Sequence, residues 1–512
     1  MPALAASTAQ THTLAAAAGL ASTNTWSERY SFKRLHLRQQ TPGLKGTHSN
    51  GMIDLGLFLT ALVNDYGYHV FSFVLSLFSI SIAYVHREYS ADAKSSEGLE
   101  PKAGPFWKVY VAYMLIQCDR LVRPKKKKLD NLGWLESRHF EKSDHDCFND
   151  SFYWWASNHP KDRTRMCVTT RLGFHGIGGK RVTPWLVFDI DGETYGLPED
   201  FVSAAMPSKD TNDIAAIDEK GHFLRYTCLE PMKQWRLEYN GMVVPLNSGD
   251  HCKSIPATMD LSIKVTQPAF YYQKDWDQLA VAKSMSSQPW SVKYFQNLRS
   301  EHQEHYEMGT TVSGTFNVAK QESHCLKASF VNSPGFRDHS FGKRDWTIMV
   351  RYLWLGTVSF VQPLVIGGCK YTHMSGTAVH YGTSFKHMVA GGLMGPAKQE
   401  RPIIPFTGMT HMKVIAKEWY EKSAEEGAKK SFGHLIPNYI ELSISIKGSR
   451  TPLKVKVWRN AWKHGFFMQD NTFEVHEGTS VYTISHENGQ EVEGHGLLEF
   501  GGVVDANAKK IK

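Results

Sequence analysis

Ile440-Glu441-Leu442-Ser443-Ile444-Ser445-Ile446-Lys447 alternates apolar with polar side chains, and Leu453, Val455 and Val457 repeat the pattern around Lys454 and Lys456. A period of two sends successive side chains to opposite faces, so the two runs read as a hairpin of half-buried antiparallel strands. Working outward, Trp235, Leu237 and Tyr239 alternate with Arg236 and Glu238 ahead of a turn at Asn240-Gly241. Leu186, Phe188 and Ile190 lead to Asp191-Gly192, and the run from Val481 to Ser485 leads to Asn488-Gly489. Such dipeptides close hairpins. Many short strands and few helical stretches predict a mainly β body beyond residue 137, a sandwich or a barrel.

One helical interruption is expected, from Lys274 to Glu307, divided by Pro289. In its second half Trp290, Tyr294, Leu298, His302 and His305 fall on one stripe, which suits a connector packed between two β domains. His302 and His305 would offer two imidazoles a turn apart, but no third ligand is identifiable, so no metal is expected. The glycine-rich run at 173–181 lacks the first glycine and the Ser/Thr of a phosphate loop. No cofactor is expected.

Composition narrows the function classes. The 512 residues are 42% hydrophobic and 21% charged, so most of the chain should fold. Of the net charge of +8, the stretch Lys102 to Lys128 supplies most, with eight basic residues and one acidic. The remainder is near neutral, which excludes a broad nucleic-acid-binding face and leaves one local basic patch. The cysteines are scattered without a C-x-x-C pair, which suits reduced, buried thiols.

The front of the chain points to a membrane. Residues 1–51 are acidic-poor and rich in Ala, Ser and Thr, and read as either a targeting peptide or a disordered extension. GYHVFSFVLSLFSISIAYV, residues 67–85, carries no fixed charge and would make roughly 28 Å of helix. One transmembrane helix is expected within 52–86; the alternative is a buried core helix. An amphipathic and polybasic linker follows over 87–136, where Lys125, Lys126, Lys127 and Lys128 suit anionic lipid headgroups. The basic tail 506–512 ends Lys509-Lys510-Ile511-Lys512, which looks like the dilysine retrieval signal of endoplasmic-reticulum membrane proteins. These features predict an endoplasmic-reticulum membrane location, or another intracellular membrane, with the C-terminal body facing the cytosol.

The densest polar cluster is Gly335-Phe336-Arg337-Asp338-His339-Ser340-Phe341-Gly342-Lys343-Arg344-Asp345-Trp346. On a strand, Asp338 and Ser340 share one face while Arg337, His339 and Phe341 share the other. His339 would then point among aromatic groups, with Arg337 or Asp345 to set its protonation, as a general acid or base. The alternative is an Asp/Arg network that satisfies a buried domain junction.

This R-D-H-S-F-G-x-R-D-W pattern resembles a motif of the paired-calycin superfamily that includes carotenoid 1,2-hydratase. FNDSFYW at 148–154, EPMKQWR at 230–236 with Tyr239-Asn240-Gly241, and GHGLLEFG at 494–501 extend the resemblance. The same order is similar to the front part of animal phosphoenolpyruvate synthase-like proteins, whose phosphotransferase domains have no counterpart in these residues. The resemblance implies two lipocalin-like antiparallel barrels, 137–268 and 311–505, joined by a helical connector at 269–310. It also implies an apolar small-molecule ligand and a proton donor at His339, although Phe341 stands where the hydratase has tryptophan. On this reading His339, Asp338 and Asp345 are the catalytic candidates, and Arg337, Phe341, Trp346 and Trp354 the ligand-binding ones. Two functions remain open: hydration, cyclisation or isomerisation of a long apolar lipid or isoprenoid, or non-catalytic carriage of one.

Overall fold

A computed structural model of the protein describes residues 76–77, 79–87, 103–122, 131–140, 148–158, 165–210, 213–246, 254–300, 303–321, 324–343, 349–381, 385–415, 438–468 and 473–503. Residues 1–51, most of the 67–85 run before Ser76, Lys125 to Lys128, Asp345, Trp346 and the basic tail lie outside the described residues. Among those described, no helix is long and apolar enough to cross a membrane. The chain divides into two units, Met1–Ser81 and Ile82–Lys512, and the described strands belong to the second.

The alternating hairpin forms as its pattern requires. Ile440, Leu442, Ile444 and Ile446 are buried and their polar neighbours half-buried, and the strand pairs antiparallel with the one carrying Leu453, Val455 and Val457. They are two staves of a closed eight-stranded barrel, β13 (Met349–Ile366), β14 (Cys369–Tyr381), β15 (Phe385–Met394), β16 (Ile403–Ile415), β17 (Tyr439–Ile446), β18 (Leu453–Met468), β19 (Phe473–Ser485) and β20 (Glu491–Val503). Each strand pairs with its neighbour in sequence, and β20 returns to β13. Closure removes both sheet edges and encloses an apolar core that includes Leu355, Phe406 and Leu498.

A second ring precedes it. Its strands are β1 (Phe148–Ser157), β2 (Met166–His175), β3 (Arg181–Ile190), β4 (Glu193–Gly196), β8 (Gln234–Pro245), β9 (Ile255–Val265), β11 (Gln303–Gln321) and β12 (His324–Lys343). The order β11-β12-β1-β2-β3-β4-β8-β9 closes because β9 pairs with β11. Short strands β5 (Met206–Pro207), β6 (Ile214–Ile217) and β7 (Phe223–Glu230) extend from β8, and β10 (Phe270–Tyr271) pairs with β11. The protein is thus mainly β, with two closed eight-stranded antiparallel barrels.

Three expectations need correction. Residues 303–343 belong to the first barrel, not to a helical connector or to the second barrel, so the barrels divide between Lys343 and Met349. Period-two alternation shows that β12 is a strand but not which sheet it joins; nine register pairs with β1, from Phe148↔Lys343 to Ala156↔Gly335, decide that. The last described helix of the connector is Val292–Ser300 and His305 lies on strand β11, while His302 lies outside the described residues. Asn240-Gly241 makes no turn: β8 runs straight through it, held by pairing to Thr258 and Ala257 of β9. The Asp191-Gly192 turn does form between β3 and β4, with both residues at positive φ.

The helices lie outside the barrels. Val109 and Ala112 of the helix Phe106–Val122 pack against Leu279, Val281 and Ala282 of the helix Gln278–Ser286. The second helix is capped by Asp277, whose carboxylate accepts from the Ala280 amide at 2.8 Å and lies 3.1 Å from Lys447 at the end of β17. That ion pair ties the helix to the second barrel.

Candidate functional site

β12 carries the sequence cluster, and its alternation holds. Arg337, His339 and Phe341 point into the first barrel, while Asp338 and Ser340 face the other way. Register brings Phe152 of β1 and Tyr306 of β11 beside His339, and Trp154 beside Arg337. His339 is fully buried: Nε2 lies 2.8 Å from Asp150 Oδ1, Nδ1 lies 2.9 Å from the Tyr306 hydroxyl, and the ring stacks on Phe152 at 4.0 Å.

The segment 131–140 seals this end of the barrel. Asn131 caps the short helix Leu132–Leu135 by accepting from the Trp134 amide at 3.1 Å. Beyond it, the His139 amide donates to Asp150 Oδ2 at 2.6 Å, and Trp134 and His139 pack on Phe341. Glu136 reaches in to accept from Arg337 Nη1 at 2.7 Å. The Tyr306 hydroxyl sits 3.0 Å from the Leu135 carbonyl and links this pair to the imidazole.

Burial dominates the electrostatics. It raises the Asp150 carboxyl to about 7, against the pull of His139 and Arg138. Burial, with Arg337 nearby, holds the His339 imidazole well below its ordinary value. The two groups therefore share one proton, which rests on the carboxyl side near neutral pH. Burial opposes the charge of Arg337 too, but Glu136 and Tyr306 outweigh it. The guanidinium carbon lies 4.5 Å from the Trp235 ring centre and 5.2 Å from that of Trp154, a cation in an aromatic cage. Arg337 Nε and Nη2, Trp154 Nε1 and Trp235 Nε1 have no hydrogen-bond partner among the described residues.

The other face of β12 meets the second barrel. Asp338 lies 2.7 Å from Nε2 of His305, whose ring stacks on Tyr272. Beside them Glu307 of β11 is fully buried and accepts from Trp354 Nε1 at 2.9 Å, Thr357 at 3.3 Å, and the Ser375 and Tyr272 hydroxyls. Further along the seam Glu477 and Glu499 stand directly opposite one another on β19 and β20, and Tyr153 of β1 donates to Glu477 at 3.0 Å.

Of the seven residues singled out from sequence, the structure gathers Arg337, His339 and Phe341 in one place. Trp354, expected to wall the same site, lies instead on the seam with Asp338, because β13 belongs to the other barrel. Asp345 and Trp346 lie outside the described residues. Sequence reasoning missed Asp150, Tyr306 and Glu136. The signal for Asp150 was present: in FNDSFYW it occupies an inward position in step with Phe148, Phe152 and Trp154.

Fold and site together define a paired-barrel protein with an ionisable network buried inside its first barrel. Residues 135–387 match the profile of a domain of unknown function, DUF7064. No curated protein matches the chain. Among solved structures, CghA is similar with a TM-score of 0.42 and 9% identity over 70% of this chain and 88% of that one. CghA with Sch210972 gives 0.39 and 8% over 70% and 89%. Kievitone hydratase from Nectria haematococca gives 0.36 and 11% over 71% and 92%. Identities this low map none of their residues onto this chain.

Proposed function

We propose that the first barrel binds a largely apolar small molecule bearing an acceptor oxygen and exchanges a proton with it in a hydration, cyclisation or isomerisation. The observation that carries this reading is the buried Asp150–His339 pair beside an arginine two of whose nitrogens, Nε and Nη2, have no partner among the described residues. Leaving such a donor unpaired costs about 1–3 kcal/mol, which a ligand oxygen would offset. Asp150 holds a transferable proton near neutral pH, His339 and Tyr306 extend the path, and Phe152, Trp154 and Trp235 offer faces that stabilise developing positive charge. The motif resemblance to carotenoid 1,2-hydratase at His339 supports the same chemistry.

Carriage without conversion is the second reading, and one observation favours it: both His339 nitrogens already have protein partners. Mass spectrometry of small molecules co-purifying with the full chain separates the two. Conversion predicts that His339→Gln retains the ligand but accumulates it unchanged, whereas carriage predicts the same bound species in both proteins. The charge-free run and the polybasic block support an intracellular membrane location. Carbonate extraction tests that location, and release of the full chain would overturn it.

A further inference from the structure

One end of the second barrel opens into a cavity of about 530 Å³. Its wall is built from the β13–β14, β17–β18 and β19–β20 turns and the residues leading into β16, which an up-and-down barrel gathers at one end. The inner wall includes apolar side chains: Ile366 and Cys369 are half-buried and pack on the barrel core to which the buried Tyr371 and Ile404 belong. The rim is charged. Arg401 and Arg450 line it, are exposed, and have no carboxylate within ion-pair reach among the described residues. Lys447, also on the rim, is partly offset by Asp277. Glu400 and Glu487 line the same rim, and Glu487 accepts from the Thr451 hydroxyl. His486 adds a buried Nδ1 with no hydrogen-bond partner among the described residues.

Exposed arginines alone would be ordinary surface. Two guanidiniums with no carboxylate in ion-pair reach and an imidazole nitrogen without a partner among the described residues, set beside apolar side chains, make opposite demands on an occupant, and the volume falls in the range of small-molecule sites, roughly 300–1,000 Å³. An amphiphile meets both demands. We infer that this cavity binds an anionic amphiphile, its carboxylate or phosphate between Arg401 and Arg450 and the start of its chain against Ile366 and Cys369. Guanidinium forks match both oxyanions. The site is separate from the His339 network, which lies inside the other barrel.

Calorimetric titration of the full chain tests the inference with dodecanoate, dodecyl phosphate, dodecanol and dodecyltrimethylammonium. Both anions should bind saturably and about tenfold or more tighter than the alcohol, the cation should not bind, and added salt should weaken the anions alone. Whichever anion binds tighter identifies the head group. Arg401→Gln/Arg450→Gln should lose about tenfold of anion affinity and leave the alcohol unchanged, with an unaltered circular dichroism spectrum. If that pair fails to fold, Arg450→Glu alone carries the comparison. Arg337→Met/Glu136→Leu, which removes the donor proposed to hold the first-barrel ligand, should bind both anions like wild type, which keeps this inference distinguishable from the first-barrel reading. Equal binding of alcohol and anions, undiminished anion binding by the arginine variants, or no binding of any probe would overturn it.

Discussion

Asp150 and His339 hold one proton between them in the folded barrel, and so do they unfolded, but on opposite partners. Folded, burial keeps Asp150 protonated up to about 7 and His339 neutral. Unfolded, between about pH 4 and 6.5, the carboxylate is ionised and the imidazole charged. Bound protons are then equal in the two states, so the pair adds little slope to stability against pH in that window. Each single variant unmasks its partner. His339→Gln leaves a folded Asp150 that keeps a proton the unfolded chain has lost, so stability should fall as pH rises from about 4 to about 7. Asp150→Asn leaves an imidazole that refuses a proton the unfolded chain takes up, so stability should fall as pH drops through about 6.5. Urea unfolding at several pH values checks this, and slopes of the same sign in both variants would refute it. Arg337 invites a cycle of its own. Arg337→Met strands the buried Glu136 carboxylate and should cost about 3–5 kcal/mol, most of it recovered in Arg337→Met/Glu136→Leu. At this scale the sequence exposes Arg337 and His339 because charges crowd an aromatic strand. It hides Asp150, 189 residues away, because that pairing exists only after β1 and β12 lie side by side.

β11 shows what an element adds beyond its residues. It pairs with β12 on one side and β9 on the other, and its register slips between Val312 and Gly314. Gly314 sits at φ +148, where an added Cβ would lie 2.1 Å from the Asp260 carbonyl oxygen. That bulge lets one long strand serve both neighbours, so Gly314→Ala should cost roughly 1–3 kcal/mol through backbone strain, more if β9 shifts. Chemical denaturation measures the loss, and an unchanged midpoint would show that the close approach is not required. The alternation over 440–457 was legible because both strands are buried on one face only. The Asn240-Gly241 reading failed because a dipeptide's turn preference is weaker than continuous pairing of β8 with β9.

The two barrels meet across buried carboxyls, and the aromatic run of β1 marks where. Its strand is buried on both faces, unlike the alternating β17: Phe152 and Trp154 fill the first barrel, while Tyr153 and Trp155 face the seam with Phe336, Trp354 and Leu497. A strand covered on both sides reads as an unbroken apolar stretch, so FYWW carried the seam in the sequence, but nothing there named its partners. Glu477 and Glu499 do not repel across the ladder because they need not both ionise. Burial pushes Glu477 well above the usual carboxylate range, and Glu499 opposite pushes it further. The folded seam thus keeps a proton that the unfolded chain releases above about pH 4.3, and stability contributed by Glu477 is lost as pH rises toward its folded value. Glu477→Gln removes that titration while leaving a carbonyl to accept from Tyr153. Wild-type thermal midpoints should therefore fall between about pH 5 and 8, a window in which Asp150 and His339 nearly cancel below about 6.5. The variant's midpoints should fall less, so it gains on wild type as pH rises. Parallel curves for the two proteins would mean that Glu477 is already ionised within the seam and that its charge is neutralised by the barrel facing it.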